Sequence, residues 1–244
     1  MIRTIAASVF MLLFILLAGP PFILHAVLTR SVERLYRMAL WGMGRAMWIA
    51  GVEVRREGVE NIPAGVCIFA ANHTSNLDPP ALVLAIPRRV ALLAKKEVFR
   101  FPIVGTAMRL ADIVPVDRSD REAAVASLEK AVAGLRAGVS YLVFPEGTRS
   151  PDGRLRPFKK GAFVMAIQAG VPVVPVSVVG AHLRMRKDER AIHPGEVIIR
   201  FGPAVDSAAY TMERRGEMLA RVQEIVAAGL PGDQRPAGLA PSDS

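Results

Sequence analysis

The fold of this chain is decided by the stretch at residues 66–80, which reads VCIFAANHTSNLDPP. Residues 66–71 form a continuous apolar run of strand length, and residues 72–77 are mostly polar and rich in turn-forming side chains. Asp78 followed by two prolines is typical of a helix start, with Asp78 as N-cap and proline in the first turn. The stretch therefore predicts a buried strand, a polar turn and a helix.

The same alternation continues along the chain. Further apolar runs predict strands, which lie at 90–94, 113–116, 139–144, 171–179 and 196–201. Helical patterns occur between them, at 119–137, 158–169 and 211–228, the first opened by a capping box at 119–122. Pro172 and Pro175 favour an edge or irregular position for the strand at 171–179. The fold class predicted is α/β: a single domain with a mixed, largely parallel sheet flanked by helices.

Composition favours a lipid surface as a partner. The 244 residues include 31 Lys and Arg against 22 Asp and Glu, and this net charge of +9 favours anionic partners. A mean hydropathy of +0.32 favours membranes among them. Three Tyr and two Trp are too few for a surface that stacks single-stranded bases, so we expect no nucleic-acid partner.

The amino terminus is the main membrane candidate. Residues 5–28 are almost wholly apolar and approach the ~20 residues that cross a bilayer. Pro20 and Pro21 interrupt them, so a kinked span and a segment that dips in and returns are both open. The poor cleavage site favours a retained anchor over a signal peptide. Arginines follow the segment more often than they precede it, which predicts a main domain on the cytoplasmic face of the cell inner membrane.

Residues 31–52 carry a second helical pattern. This helix is either interfacial, with Trp41 and Trp48 as anchors, or packed on the main domain. We therefore expect a membrane-anchoring helical segment at 1–52, the α/β domain at 53–228, and a flexible tail at 229–244, which is rich in Pro, Gly and polar residues.

His73 and Asp78 are the candidate catalytic pair. A histidine accepts a proton near neutral pH, and a nearby carboxylate fixes its tautomer and stabilises the imidazolium. Five positions do not place both side chains on one helix face, but a turn entering a helix can fold Asp78 back against His73. The plainer interpretation is a polar turn residue beside a helix cap.

Other reaction chemistries have no pattern in this sequence. It contains no Gly-x-Ser-x-Gly elbow, no paired His or Cys spacing for a metal, and no glycine-rich nucleotide loop. Ser75 is expected to hydrogen-bond the turn, and Cys67 to be a buried structural thiol. What is left is a base that activates a substrate hydroxyl for direct attack on a thioester.

Basic residues follow several predicted strands. Lys96 and Arg118 each come after one, and Arg149 lies in the turn FPEGTRS at 144–150. Open α/β sheets hold ligands beyond the carboxyl ends of their strands, and Arg and Lys bind phosphate well. These positions predict convergence on one phosphate, with solvated loop charge as the alternative.

Four ordered blocks resemble the lysophosphatidate acyltransferases, the PlsC-like members of the glycerolipid acyltransferase family. They are NHTSNLD at 72–78, the segment from Lys95 to Arg118, FPEGTRS at 144–150 and VPVVPV at 171–176. The resemblance covers residues 60–205. It departs at 111–113, where this chain reads ADI and the family commonly has a glycine before the strand.

The resemblance implies transfer of a fatty acyl group from acyl-CoA or acyl-carrier protein to the 2-hydroxyl of 1-acylglycerol 3-phosphate (lysophosphatidic acid), forming phosphatidic acid. No metal or other cofactor is expected, and membrane lipid is an expected partner. His73 would be the general base and Asp78 its orienting partner. The block at 171–176 would support the acyl-donor or membrane side.

The resemblance also implies an acceptor site. Lys96, Arg118 and Arg149 would hold the phosphate, while Glu146 and Gly147 would shape the pocket. Two alternatives stay open: an acyltransferase for another lyso-lipid, such as a lyso-ornithine lipid or a lysophospholipid, and a lipid-binding protein with an inactive turn. A basic membrane-surface protein that binds nucleic acid is a more distant third.

Overall fold

One sheet lies between two helical layers in the structure, a computed structural model that describes residues 1–117 and 120–236. The strands in those ranges are β1 (Val52–Glu57), β2 (Ile68–Ala71), β3 (Val90–Lys95), β4 (Val114–Val116), β5 (Ser140–Val143), β6 (Val173–Val179) and β7 (Gly195–Phe201). The helices are α1 (Ile2–Thr29), α2 (Glu33–Ala50), α3 (Asp78–Ala85), α4 (Pro102–Leu110), α5 (Arg121–Arg136), α6 (Gly161–Ala169), α7 (Ala181–Arg184) and α8 (Arg215–Ala228). Short 3-10 helices lie at Val59–Asn61, Lys96–Arg100, Ser207–Ala209 and Gly232–Gln234.

The sheet order is β1-β7-β6-β2-β5-β3-β4. Only the β6–β7 pairing is antiparallel among these neighbours, so β2 to β6 share one direction while β1 and β7 run the other way. The predicted mixed, largely parallel sheet is confirmed. The carboxyl ends of β2, β5, β3 and β4 consequently open, in that order, along one edge of the sheet.

Strand β2 is apolar at every position because helices cover both of its faces. Ile68 and Ala70 belong to the core packed against α5, α6 and α8. Phe69 and Ala71 belong to the opposite core, which α1, α2 and α3 cover. Cys67 is fully buried beside this strand, and burial raises the pKa of its thiol to about 11. The prediction of a buried structural thiol is confirmed.

Strand β6 corrects the prediction of an edge strand at 171–179. It lies inside the sheet, parallel to β2 and antiparallel to β7. Pro175 stands one position before the first residue paired with β7, and its carbonyl accepts from Gly202 N–H at 2.8 Å. The position without an N–H therefore lies at the end of the β6–β7 ladder. There the proline removes one terminal hydrogen bond, whereas inside the ladder it would disrupt a pair of hydrogen bonds.

Helix α1 is a single helix through Pro20 and Pro21, so the prolines do not divide it into two helices. It is long and apolar enough to cross a membrane. Its first turn contacts the domain, where Thr4 Oγ1 accepts from Ile192 N–H at 2.9 Å. Ala26, near its other end, is 4% exposed and borders a groove shared with Leu110. These contacts are about 33 Å apart along the axis, so α1 runs along the domain.

Helix α2 folds back on α1 to form a helical hairpin. Trp41 packs on Phe14 with ring centroids 5.4 Å apart, and Gly42 lets the helices approach at this level. Leu35 and Met47 are buried, whereas Trp41 and Trp48 are 53% and 71% exposed. The prediction of a helix packed on the protein is confirmed for one face, and the interfacial role stays a prediction for the face that exposes the tryptophans.

Two chain segments refine the predicted boundaries. Leu230 and Gln234 are buried, and the Gln234 carbonyl accepts from Leu155 N–H at 2.8 Å, so packing continues past the predicted boundary at Ala228. Residues 237–244 of the predicted tail lie outside the described residues, as does Ser119 of the predicted capping box. Asp120 itself caps α5 by accepting from the N–H of the second and third residues of that helix.

Asp112 explains the departure from the family pattern before β4. Its φ is 61°, in the left-handed region that glycine occupies most readily. Aspartate is one of the few other residues that adopt this conformation routinely. The chain therefore turns into β4 through a left-handed Asp112, without a glycine.

Candidate active site

The turn after β2 brings His73 and Asp78 together. His73 Nδ1 lies 2.8 Å from Asp78 Oδ2. The Asp78 side chain is fully buried and the His73 side chain is 12% exposed. The pair therefore has the geometry of a base and its orienting carboxylate, with the imidazole at the surface and the acid behind it.

The Asp78 carboxylate points back to the turn and does not cap α3. Oδ2 accepts from Thr74 N–H at 2.6 Å and Ser75 N–H at 2.8 Å, in addition to the imidazole. Ser75 Oγ accepts from Leu77 N–H at 3.1 Å, which is the hydrogen bond within the turn expected for it, and donates to the Met185 carbonyl at 2.7 Å. The backbone of the turn is thus hydrogen-bonded to the same carboxylate as the imidazole, and this fixes the position of the imidazole.

Stacking fixes the plane of the imidazole. The Phe144 ring lies 4.0 Å from it, centroid to centroid, with 21° between the planes. Because a carboxylate only accepts, Nδ1 carries the hydrogen and Nε2 carries the lone pair. No residue in the described ranges hydrogen-bonds Nε2, so this atom is available to a substrate proton.

Glu146 lies behind the His73 turn. Its side chain is buried, Oε1 accepts from His73 N–H at 2.7 Å, and Oε2 accepts from Arg156 N–H at 3.2 Å. Burial raises the pKa of this carboxyl to about 8, although the two backbone donors and the Arg156 charge work in the opposite direction. Its contacts are those of a residue that positions His73, and the expected role in shaping the acceptor pocket stays a prediction.

Two of the predicted phosphate cations, Lys96 and Arg149, follow neighbouring strands of the sheet and contact protein groups. Lys96 follows β3 and pairs with Asp117, and this hydrogen bond raises the pKa of Lys96. Arg149 follows β5, and its Nη1 donates to the Lys187 carbonyl at 2.8 Å. Arg118 lies outside the described residues. The structure thus brings Lys96 and Arg149 to neighbouring strand ends.

Gly147 has a backbone requirement for glycine. Its φ is 75°, and its N–H donates to the Phe144 carbonyl at 3.0 Å, which closes the turn after β5. Ser150 N–H donates to the His73 carbonyl at 2.8 Å, so this turn lies directly against the His73 turn.

Comparison with known proteins agrees with this geometry. Residues 53–179 match a family model described as Acyltransferase. Over 196 residues the chain is 33% identical to a 1-acyl-sn-glycerol-3-phosphate acyltransferase of Limnanthes douglasii. This alignment covers 80% of this chain and 69% of that protein. The chain is 32% identical over 218 residues to the alpha form of that enzyme in Mus musculus, covering 85% and 76% respectively. The chain belongs to the acyltransferase family.

A solved structure supports the family at the level of the fold. The 1-acyl-sn-glycerophosphate (LPA) acyltransferase PlsC from Thermotoga maritima matches with a TM-score of 0.76 and 32% identity. The match covers 93% of this chain and 95% of that one, so it includes the helical hairpin as well as the α/β domain.

Three residues of this acyltransferase domain support the site without having been predicted to do so. Phe144 stacks on the imidazole, and the Asn72 amide bridges β2 to β6 through Val178 N–H at 2.7 Å and the Val178 carbonyl at 3.0 Å. Arg156 supplies a backbone N–H to Glu146. Asn72 and Phe144 adjoin the motif turns, a signal that sequence reasoning could have used. Arg156 reaches the site only through the fold.

Proposed function

We propose that this protein transfers a fatty acyl group from a thioester donor to the 2-hydroxyl of 1-acylglycerol 3-phosphate, which forms phosphatidic acid. The relatives described above carry that activity in their names. The observation that carries the proposal is the hydrogen bond between His73 Nδ1 and the buried Asp78 carboxylate, which leaves Nε2 open at the carboxyl edge of the sheet.

In the proposed reaction His73 is the general base. Nε2 takes the proton from the 2-hydroxyl as that oxygen attacks the thioester carbonyl carbon. The C–S bond then breaks, and the imidazolium returns the proton to the departing thiolate. The products are an ester and a free thiol, and the imidazole is regenerated. Acyl-CoA or acyl-carrier protein supplies the thioester, and no further co-reactant is needed for the balance.

The acceptor phosphate is assigned to the cations at the same edge. Arg149 uses one guanidinium donor on a backbone carbonyl, and a guanidinium has five. Lys96 lies one strand further along and shares its charge with Asp117. Arg118 belongs to the same assignment by its position after β4. Gly147 itself contributes no side chain to the turn that lies against the His73 turn.

The acyl chain is assigned to an apolar cavity beside the catalytic pair. This cavity of about 330 Å³ lies between the helical hairpin and helices α3 and α4. Pro79, next to Asp78, lines one part of it, and Met43, Tyr36 and Ile103 line others. Ligand pockets of this kind bind long apolar groups by burying them from water.

The hairpin is assigned to the membrane surface. One face of α1 exposes large apolar side chains, among them Leu12, Leu13 and Leu17, while the domain contacts the other face along the helix. We propose that α1 enters one leaflet lengthwise, on the cytoplasmic side of the inner membrane. A tag at residue 1 should then be digested by protease from the same side as the domain. Protection of the tag alone would indicate a span.

A test of the proposed function offers the purified protein several lyso-lipid acceptors with each donor type and identifies every product by mass. Phosphatidic acid should form from 1-acylglycerol 3-phosphate, and His73→Ala should abolish it in a folded protein. Acylation of a different lyso-lipid in preference would select the other acyltransferase alternative. Product formation by the His73→Ala protein at the wild-type rate would disprove the general-base role.

A further inference from the structure

Lys159 is a cation beside the candidate acceptor site that the sequence pattern does not single out. It lies just before α6, and its backbone N–H donates to the Pro145 carbonyl at 2.9 Å. This bond ties the segment before α6 to the turn at 144–150. The side chain of Lys159 therefore starts from a fixed place near Glu146 and Gly147.

The Lys159 side chain lies across Gly147. A Cβ atom added at Gly147 would be 2.9 Å from Lys159 Nζ, 3.1 Å from Cε and 3.3 Å from Cδ. Contacts this short would displace the end of the lysine. Glycine at this position therefore satisfies the positive φ and also leaves the space that the ammonium group occupies.

The Lys159 ammonium group is available to a ligand. The residue is exposed, and within the described ranges its Nζ forms no ion pair and no hydrogen bond. The neighbouring acid, Glu146, is buried and directs both carboxylate oxygens at backbone N–H groups of His73 and Arg156. By contrast, Lys96 is paired with Asp117 and Arg149 donates to the Lys187 carbonyl. Lys159 thus offers three ammonium donors at the turn that adjoins the His73 turn.

We propose that Lys159 binds the phosphate group of the acceptor above Gly147, from the side of the turn that precedes α6. The inference rests on the proposed function and adds Lys159 to the residues that recognise the acceptor. A lysine suits this place because its ammonium is a compact point charge on a flexible stem, which adjusts to phosphate oxygens after the acyl chain is seated. The fixed His73 pair requires the 2-hydroxyl at one position, and Lys159 restrains the other end of the glycerol.

The test compares Lys159→Met with Lys160→Met in the purified full-length protein. Lys160 is the adjacent exposed lysine, and in the described ranges it too forms no ion pair, so it controls for a general loss of surface charge. Lys159→Met should raise the KM for 1-acylglycerol 3-phosphate about tenfold, the effect of one lost charge-assisted hydrogen bond. Its KM for the acyl thioester and its kcat should stay within about twofold of wild type. Lys159→Arg should restore most of the acceptor affinity.

A phosphate-free acceptor separates charge recognition from a structural effect. With 1-acylglycerol, Lys159→Met should behave as wild type, so that the preference for the phosphorylated acceptor falls about tenfold. Equal losses on both acceptors, an unchanged acceptor KM, or the same loss in Lys160→Met would each overturn the proposal.

A titration of the protein with 1-acylglycerol 3-phosphate in the absence of donor tests the Lys159 assignment separately from the proposed acyl transfer. Binding by wild type that Lys159→Met weakens supports the assignment even if wild type proves unable to transfer an acyl group, a result that would reject only the proposed function. Equal binding by both proteins, or no binding by either, rejects the Lys159 assignment.

Discussion

The two halves of the candidate site differ in how firmly the protein holds them. In the half that contains the His73–Asp78 pair and Glu146, the Asp78 side chain is fully buried and the Glu146 side chain nearly so, and backbone N–H groups hold both carboxyl groups. In the half that contains Lys96 and Arg149, the Lys96 side chain is 44% exposed and pairs with Asp117. The proposed proton-transfer group is thus held rigidly, whereas the proposed phosphate-binding group is left able to adjust.

This difference has a physical reason. Proton transfer requires heavy atoms within hydrogen-bond distance at the moment of reaction, so a small displacement of the imidazole lowers the rate strongly. Attraction between a cation and a phosphate falls off slowly with distance and tolerates several orientations. Changes in the first half should therefore lower kcat, and changes in the second should raise the acceptor KM.

The largest effect is expected for Asp78→Asn. The amide would keep the size of the side chain but no longer select the Nδ1–H tautomer of His73, so kcat should fall about 10³- to 10⁴-fold. The measurement is the rate of phosphatidic acid formation at saturating acceptor, with the thermal midpoint as a control for folding. A kcat within tenfold of wild type would show that the rigid half is not the catalytic half.

Glu146→Gln tests the same half through stability. The folded protein binds the Glu146 proton more tightly than the unfolded chain does, since burial raises the pKa from 4.5 to about 8. As the pH rises from about 4.5 to about 8, wild type should therefore lose stability on the order of a few kcal/mol through this carboxyl.

The Glu146→Gln protein has no titratable proton at this position, so it should lose less stability as the pH rises. Thermal midpoints of both proteins measured from pH 5 to pH 9 should shift in favour of Glu146→Gln as the pH rises. If the thermal midpoints of the two proteins changed in parallel with pH, the Glu146 carboxyl would not be desolvated in the folded protein. The contrast between the two halves would then lose its main support.

Arg149→Ala tests the adjustable half. Loss of one guanidinium contact should raise the KM for 1-acylglycerol 3-phosphate about tenfold and change kcat little, because the His73 pair stays in place. Steady-state kinetics with each substrate varied in turn separates the constants. A change confined to the donor KM, or a kcat loss as large as that of Asp78→Asn, would contradict the phosphate role.

The smallest effect is expected from a pair of glycine substitutions. Gly147 and Gly170 have φ of 75° and 66°, but only Gly147 faces a side chain, that of Lys159. Alanine at either position should destabilise the protein by about 1–2 kcal/mol through backbone strain. Only Gly147→Ala should also weaken acceptor binding, as measured by KM. If Gly170→Ala raised the acceptor KM equally, strain alone would account for the effect.

Local patterns predicted most of the sheet and the catalytic turn. The apolar run of β2, the polar turn and the proline-marked start of α3 are contiguous, so their neighbours along the chain largely determine their conformation. The family resemblance rested on four blocks in order, and the match of residues 53–179 to the Acyltransferase family confirms it. Strand β1 and helix α4 were not predicted. Strand β1 mixes charged and apolar residues because it lies at the edge of the sheet, and α4 is a short helix.

Other features depended on pairing partners far apart in the chain. Pro175 predicted an edge strand, yet β6 is internal because the missing N–H falls where the β6–β7 ladder ends. The sequence did not predict that the fold brings the Glu146 carboxyl against the backbone of His73 and Arg156. No local pattern indicated a role for Lys159. Its side chain lies across Gly147 only because the segment before α6 packs on the turn at 144–150.

The sequence by itself determined the α/β class, the ordered motif blocks and the pairing of His73 with Asp78, because each depends on periodicity or on residues within one turn. Tertiary structure alone decided which charges are engaged by protein groups, how α1 lies along the domain, and which side chains hold the imidazole in place. Those properties arise from contacts between segments tens of residues apart. The energies of such contacts depend on burial and mutual geometry, which a linear pattern does not contain.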